Sequence, residues 1–276
     1  MLSDFAARQS LWSRIETRLD ASLPDWQGRI DHFGQVEAVE ERARGRTLAD
    51  GEVFEALLRA VLSGATEWSK VERVLSELEH LFLDFDLCRY AQVTAADVRA
   101  RLVPWFKSRG AGSQTLAKSL ISLAETSRKL CDWSTDTGSA ESYFTSIVNS
   151  LGGDPKLAAL ELGGYGRPWK LPGLGVPLAA ETLRNLGFDL AKPDRHVNRA
   201  CGAFGLATFR NWSDRGGTNA PVASESELIA VMTAAEQFAR GVGRRTCFVD
   251  NAIWLLCAKQ PSGLFLTNAE LERLVP

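Results

Sequence analysis

The 276-residue chain is 45% hydrophobic and 24% charged, which is ample for a buried core and argues against wholesale disorder. Lys plus Arg number 32 against 34 Asp plus Glu, a net charge of -2, so a uniformly basic nucleic-acid binder is excluded and any such surface must be local. Five scattered cysteines (Cys88, Cys131, Cys201, Cys247, Cys257) contain no C-x-x-C pair, which rules out the spacing of a zinc site or an iron–sulfur cluster and reads as reduced thiols in a cytoplasmic protein.

The N-terminal segment MLSDFAARQSLWSRIETRLD is amphipathic and charged, without the apolar centre of a signal peptide. No stretch approaches the run of about 20 apolar residues that a membrane helix needs. Val53, Leu57, Leu58, Val61 and Leu62 fall at helical spacing, as do Val71, Val74, Leu75, Leu78, Leu81 and Phe82. Thr94-Ala-Ala-Asp97 reads as a capping box, with Asp in place of Glu, opening a helix through Val98, Leu102 and Val103. Leu116, Leu120, Leu123 and Leu130 mark another helix. Tyr143, Phe144, Ile147, Val148 and Leu151 mark one that stops at Gly152-Gly153. Asp154-Pro155 starts a helix by N-cap and proline, and Gly163-Gly164 ends it. Ser224-x-x-Glu227 and Thr267-x-x-Glu270 are further starts. The softest linker is Asn211–Ser224, and a second lies near Glu40–Gly51. The fold class expected is all-α, with ten or so helices.

The most informative stretch is Lys170–Arg199, KLPGLGVPLAAETLRNLGFDLAKPDRHVNR. The glycines of Leu171-Pro172-Gly173-Leu174-Gly175 permit a tight turn, and a helix follows from about Val176. Backbone N–H groups at such a helix start can bind a phosphate oxygen without reading sequence. Taken alone, the same five residues also fit a plain helix–turn–helix connection. Asp194 lies 19 residues beyond Gly175, in Lys192-Pro-Asp-Arg-His-Val-Asn-Arg199. By itself an aspartate before an amphipathic segment reads as a helix cap.

Together these motifs resemble the helix-hairpin-helix (HhH-GPD) superfamily of base-excision DNA glycosylases, which includes endonuclease III, the adenine mismatch glycosylase and the alkylpurine glycosylases. The family pattern is an L-P-G-x-G hairpin, a helix, then an aspartate often followed by x-H-x-x-R, and Asp194, His196 and Arg199 stand at those places. Upstream, EALLRAVLSGAT (55–66) is similar to the family's apolar helix ending in L-S-x-Q-T. The resemblance runs from about Gly51 to about Gly205, over half the chain.

It implies two helical lobes with a DNA-binding cleft, one of residues 52–180 carrying the hairpin, the other of 1–51 plus 181–276. It implies Asp194 as the catalytic carboxylate, and duplex DNA containing a damaged or modified base as partner. Lys170, Leu171, Gly173, Gly175, Arg195 and His196 would contact DNA. It admits a monovalent cation at the hairpin and no other cofactor. The protein would act as a monomer in the cytoplasm, at the nucleoid.

In the lyase branch of the family a lysine stands two residues after the hairpin's last glycine. Here that residue is Pro177, so a monofunctional glycosylase is expected, hydrolysing the N-glycosidic bond. The glutamine that fills the gap of the flipped base is Ala65 here. Ala65, Thr66, Trp68 and Trp169 are candidates for the base pocket or the wedge, and Trp12, Trp105, Trp133 and Trp254 read as core. Asp250 reads as a cap or buried pair. From Tyr165 to Arg215, eight basic residues oppose four acidic ones, a modest basic face. The rival reading is a DNA-binding protein that kept the hairpin and lost activity, and Ala65 and the acidic net charge favour it.

Overall fold

A computed structural model describes residues 5–212 and 215–276; Asp214, one of the acids counted above, lies outside them. Every regular element among the described residues is helical, as expected. Among the described residues there are seventeen α-helices against the ten or so expected, because pieces such as Leu87–Tyr90 and Ala95–Asp97 are too short to show a period in sequence. The chain forms two compact units, Gly45–Leu186, and Met1–Arg44 with Gly187–Pro276. The first ends after the whole helix Val176–Asn185, which a boundary at 180 would have cut.

In the unit Gly45–Leu186 the helix Asp50–Ala65 buries Val53, Phe54, Leu57, Leu58, Val61 and Leu62. Asp50 fastens its start: Ala140 N–H donates to Oδ1 at 2.8 Å, and Ser134 Oγ donates to Oδ2. Phe54, Phe82, Tyr90 and Phe106 form an aromatic centre, with Phe54 and Tyr90 centroids 4.9 Å apart. Thr94 caps as expected, accepting from Asp97 N–H at 3.2 Å. The helix it opens passes through a π-helical turn at Val98–Leu102 before continuing as Val103–Ser108. Pro104 has no N–H to give to the residue four back, so the ladder shifts register there.

This unit also overturns one expectation. Cys88 and Cys131 are joined by a disulfide, with Cα atoms 5.3 Å apart, so the chain does not carry five reduced thiols. The two lie 43 residues apart on the helices Leu87–Tyr90 and Leu116–Thr137, and only the packing of those helices brings them together.

The other unit packs Leu11, Trp12, Ile15 and Leu19 of the helix Phe5–Ser22 in one core with Val249, Ile253 and Leu256 of Thr246–Cys257 and Phe238 of Glu225–Gly241. Cys201, Cys247 and Cys257 form no disulfide and are fully buried there. Burial raises the thiol pKa values of Cys201 and of Cys257, the latter to about 11. The capping boxes at Ser224 and Thr267 form as the sequence predicts. No helix among the described residues is long and apolar enough to cross a membrane.

Candidate nucleic-acid interface and active site

The hairpin sits between the helices Pro155–Gly163 and Val176–Asn185. Leu171 and Leu174 are its buried anchors, while Gly173 and Gly175 face solvent. Gly173 has φ +72, and a Cβ there would meet Ser122 Cβ at 2.4 Å. At Gly163 a Cβ would fall 2.4 Å from Val176 N, so the two helices meet backbone to backbone. Glycine is therefore required twice for steric reasons. Gly175 is the N-cap of the second helix and offers no side-chain cap. Among the described residues, the N–H groups of Gly173, Gly175 and Val176 bond to nothing in the chain. Pro177 in the first turn has no N–H. Val176 N lies against Gly163, whereas Gly173 and Gly175 are exposed and their donors suit a phosphate oxygen.

The carbonyls on the inner side are already taken. The Lys170 ammonium donates to Gly163 O at 2.5 Å and to Leu174 O. Thr126 Oγ1 donates to Pro172 O at 3.0 Å, Lys129 Nζ to Lys170 O at 3.2 Å, and Tyr143 Oη to Trp169 O at 3.0 Å. Leu174 N–H donates to Leu171 O at 3.3 Å. A monovalent cation held by hairpin carbonyls does not fit this donor set, because the chain's own ammonium stands among them. Lys170 is thus placed as a clasp of the hairpin, inside it, where the sequence reading had it on a phosphate. Burial lowers the pKa of Lys129, whose ammonium lies 5.3 Å from the Tyr143 ring centroid. Ser122, Thr126 and Lys129 recur at helical spacing on Leu116–Thr137 and form the hairpin's support. Sequence reasoning missed all three: Thr126 and Lys129 donate to backbone carbonyls more than 40 residues away, and Ser122 packs under Gly173.

Asp194 belongs to the unit Met1–Arg44 with Gly187–Pro276. It is the N-cap of Arg195–Ala203, and its Oδ1 accepts from His196 N–H at 2.8 Å and from Val197 N–H at 3.1 Å. Oδ2 accepts nothing from the described residues. Both sequence readings of this aspartate are therefore compatible: one oxygen caps and the other is available. The segment leading to it is fixed at two points on the helix Thr246–Cys257. Cys247 N–H donates to Asp189 Oδ1 at 2.9 Å, and Lys192 N–H donates to Asp250 Oδ1 at 2.8 Å. Asp250 is 2% exposed, so the pair expected of it is with the backbone two residues before Asp194.

His196 packs edge-on to Trp254, centroids 6.3 Å apart, and its Nε2 accepts from Arg195 Nε at 3.3 Å. Burial lowers its pKa; the Asp194 carboxylate opposes this, and Arg195, Arg199 and Lys192 add to it. An acceptor nitrogen and a lowered pKa agree on a neutral ring. Arg199 is 2% exposed and donates to Cys257 O at 3.4 Å, so it is a core residue.

The pocket and wedge candidates separate. Ala65 is 6% exposed at the end of its helix, with its carbonyl accepting from Thr115 Oγ1, and cannot enter a duplex. Thr66 and Trp68 are half-buried beside it. Trp169 packs edge-on to Tyr143 and Trp133, at 5.4 and 5.9 Å, within an aromatic cluster of the hairpin unit. Of the four tryptophans read as core only Trp12 is buried; Trp105, Trp133 and Trp254 are half-buried. The basic face is thinner than its count. Arg184 and Arg199 are each 2% exposed, the former paired with Glu181 at 2.8 Å, and Lys170 is spent inside the hairpin.

No family model and no curated relative matches the chain. Two solved structures do. One is the Methanocaldococcus jannaschii 8-oxoguanine glycosylase/lyase in complex with DNA containing 8-oxoguanine, with a TM-score of 0.57 at 16% identity over 88% of this chain and 95% of that one. The other is the 8-oxoguanine DNA glycosylase of Thermotoga maritima, with a TM-score of 0.55 at 20% identity over 90% of this chain and 96% of that one. The chain therefore has the all-α, helix-hairpin-helix fold of these 8-oxoguanine DNA glycosylases.

Proposed function

We propose that the protein is a monofunctional DNA glycosylase that hydrolyses the bond between a damaged base and deoxyribose in duplex DNA. The observation that carries this reading is Asp194: a carboxylate held at a helix N-terminus, with Oδ1 fixed by two N–H donors and Oδ2 unengaged. Breaking the glycosidic bond builds positive charge on the sugar. A fixed carboxylate stabilises that charge and orients or deprotonates the attacking water.

The N–H groups of the exposed Gly173 and Gly175 would bind a phosphate, with Arg195 exposed beside the catalytic segment. Pro177 supplies no amine, which supports hydrolysis over Schiff-base chemistry and contrasts with the M. jannaschii glycosylase/lyase. The substrates of the two similar structures make 8-oxoguanine the first lesion to try. Action on chromosomal DNA would place the protein in the cytoplasm, at the nucleoid, as a monomer.

The test is a base-release assay over a lesion panel that includes 8-oxoguanine, with Asp194→Asn as control. The wild type releases a base and leaves the strand intact, and Asp194→Asn loses release by about a hundredfold or more while still binding abasic-site DNA. Strand cleavage with borohydride trapping would refute the monofunctional mechanism. Binding without release from any lesion would favour the inactive DNA-binding reading, which the capping role of Asp194 also fits.

A further inference from the structure

The cysteines of the chain stand in two settings. Cys201, Cys247 and Cys257 are fully buried, out of reach of a solute. Cys88 and Cys131 are joined, and their link lies at the surface of the unit Gly45–Leu186, with Cys88 exposed and Cys131 half-buried. A disulfide exchanges with a thiol only where a thiolate can reach one of its sulfurs, and exposed links are the labile ones. Here one sulfur is open to attack and the other is partly covered.

The fold does not hang on this link. On the helix Leu87–Tyr90, Leu87 and Tyr90 are buried, and Tyr90 Oη donates to Leu120 O at 3.2 Å. Just beyond it, Arg128 Nη2 donates to Ala91 O at 2.9 Å. Leu120 and Arg128 both belong to Leu116–Thr137, the helix that carries Cys131. These contacts keep the two helices together when the S–S bond opens, so the sulfurs stay within reach of each other. Cys131 stands half a turn around its helix from Ser122, away from the side that supports the hairpin. Opening is therefore local and reversible.

We infer that Cys88–Cys131 is a thiol–disulfide exchange site, at which a low-molecular-weight thiol attacks Cys88. The incoming thiolate bonds to Cys88 Sγ. The electron pair of the broken S–S bond leaves on Cys131 Sγ, which takes a proton from water. A second small thiolate then attacks the first at its sulfur and displaces Cys88 as a thiolate, which is protonated in turn. The small thiols end as their own disulfide, having given two electrons and two protons to the cysteine pair. A low-molecular-weight disulfide runs the same steps in reverse and closes the link. Because the link restricts the unfolded chain, its state sets how often the unit unfolds.

The test is to incubate the oxidised wild type with glutathione under native conditions, quench by alkylation and map each cysteine by mass. Glutathione is expected on Cys88 and the alkyl group on Cys131, with Cys201, Cys247 and Cys257 untouched. With glutathione disulfide, the single surface thiol of Cys131→Ser should react about tenfold faster than that of Cys88→Ser. The opened wild type should keep its helical circular dichroism and be digested about thirtyfold faster by a protease. Attack falling first on Cys131 would overturn the assignment. So would exchange that proceeds only in step with unfolding in urea, or a wild type whose two thiols glutathione disulfide cannot join. None of these readouts uses DNA, so the outcome stands apart from the base-excision reading.

Discussion

Asp194 does two things that a pair of substitutions pulls apart. Asparagine caps a helix about as well as aspartate, whereas alanine forfeits the cap at a cost of about 1 kcal/mol. Asp194→Asn and Asp194→Ala are therefore both expected to lose base release, while only Asp194→Ala melts at a lower temperature. Equal melting of the two would mean the cap contributes nothing. His196 carries a second prediction at this scale. Its pKa is lowered from 6.5, chiefly by burial, so the folded state prefers the neutral ring. That preference contributes stability above pH 6.5, and the contribution is lost as pH falls below 6.5 through the lowered folded value. Thermal melts at pH 7.5 and 5.5 should show a larger acid loss for wild type than for His196→Gln. Asp194 and His196 were both legible in the sequence as members of a motif. Asp250 was legible only as a buried partner, since its acceptor role depends on the segment Gly187–Asp194 lying against a helix some 58 residues later.

At the level of the element, the hairpin is a clasp whose inner carbonyls are satisfied by Lys170, Lys129, Thr126 and Tyr143. Replacing Lys170 with Met leaves the carbonyls of Gly163 and Leu174 without that donor, at a cost of about 1 to 3 kcal/mol. Lys170→Met should thus lower both thermal stability and affinity for undamaged duplex. Wild-type affinity should be the same in potassium and in sodium chloride at equal ionic strength, because the ammonium is built in. A clear preference for one cation would show that the hairpin holds an ion after all. The L-P-G-x-G pattern announced the turn, and glycine's steric freedom explains why it can be read from sequence. The support from Thr126 and Lys129 could not be read, because a hydroxyl or ammonium on a helix face carries no mark of the distant backbone carbonyl it will meet.

On the scale of the whole chain, the division into Gly45–Leu186 and Met1–Arg44 with Gly187–Pro276 means that the unit holding Asp194 is assembled from both ends of the sequence. The disulfide lies wholly within the other unit, linking Cys88 to Cys131. Closing a loop of this length restricts the unfolded chain and contributes about 2 to 4 kcal/mol. A reductant should lower the melting temperature of wild type and leave Cys88→Ser unchanged. A wild type indifferent to reductant would show that the link does not stabilise the unit.

What the sequence determined by itself was local in origin. Helical period, capping boxes at Thr94, Ser224 and Thr267, the glycine turn and the aspartate beyond it all follow from residues within a few positions of one another. Tertiary structure alone decided which lysine faces inward at the hairpin and which cysteines meet. It also decided that Ala65 is covered, that Arg184 and Arg199 are buried, and that Tyr165 is not. Each of those outcomes depends on contacts between segments far apart in the chain. Residue type fixes the chemistry a side chain can offer, but only packing fixes whether solvent, a carbonyl or a nucleic acid receives it.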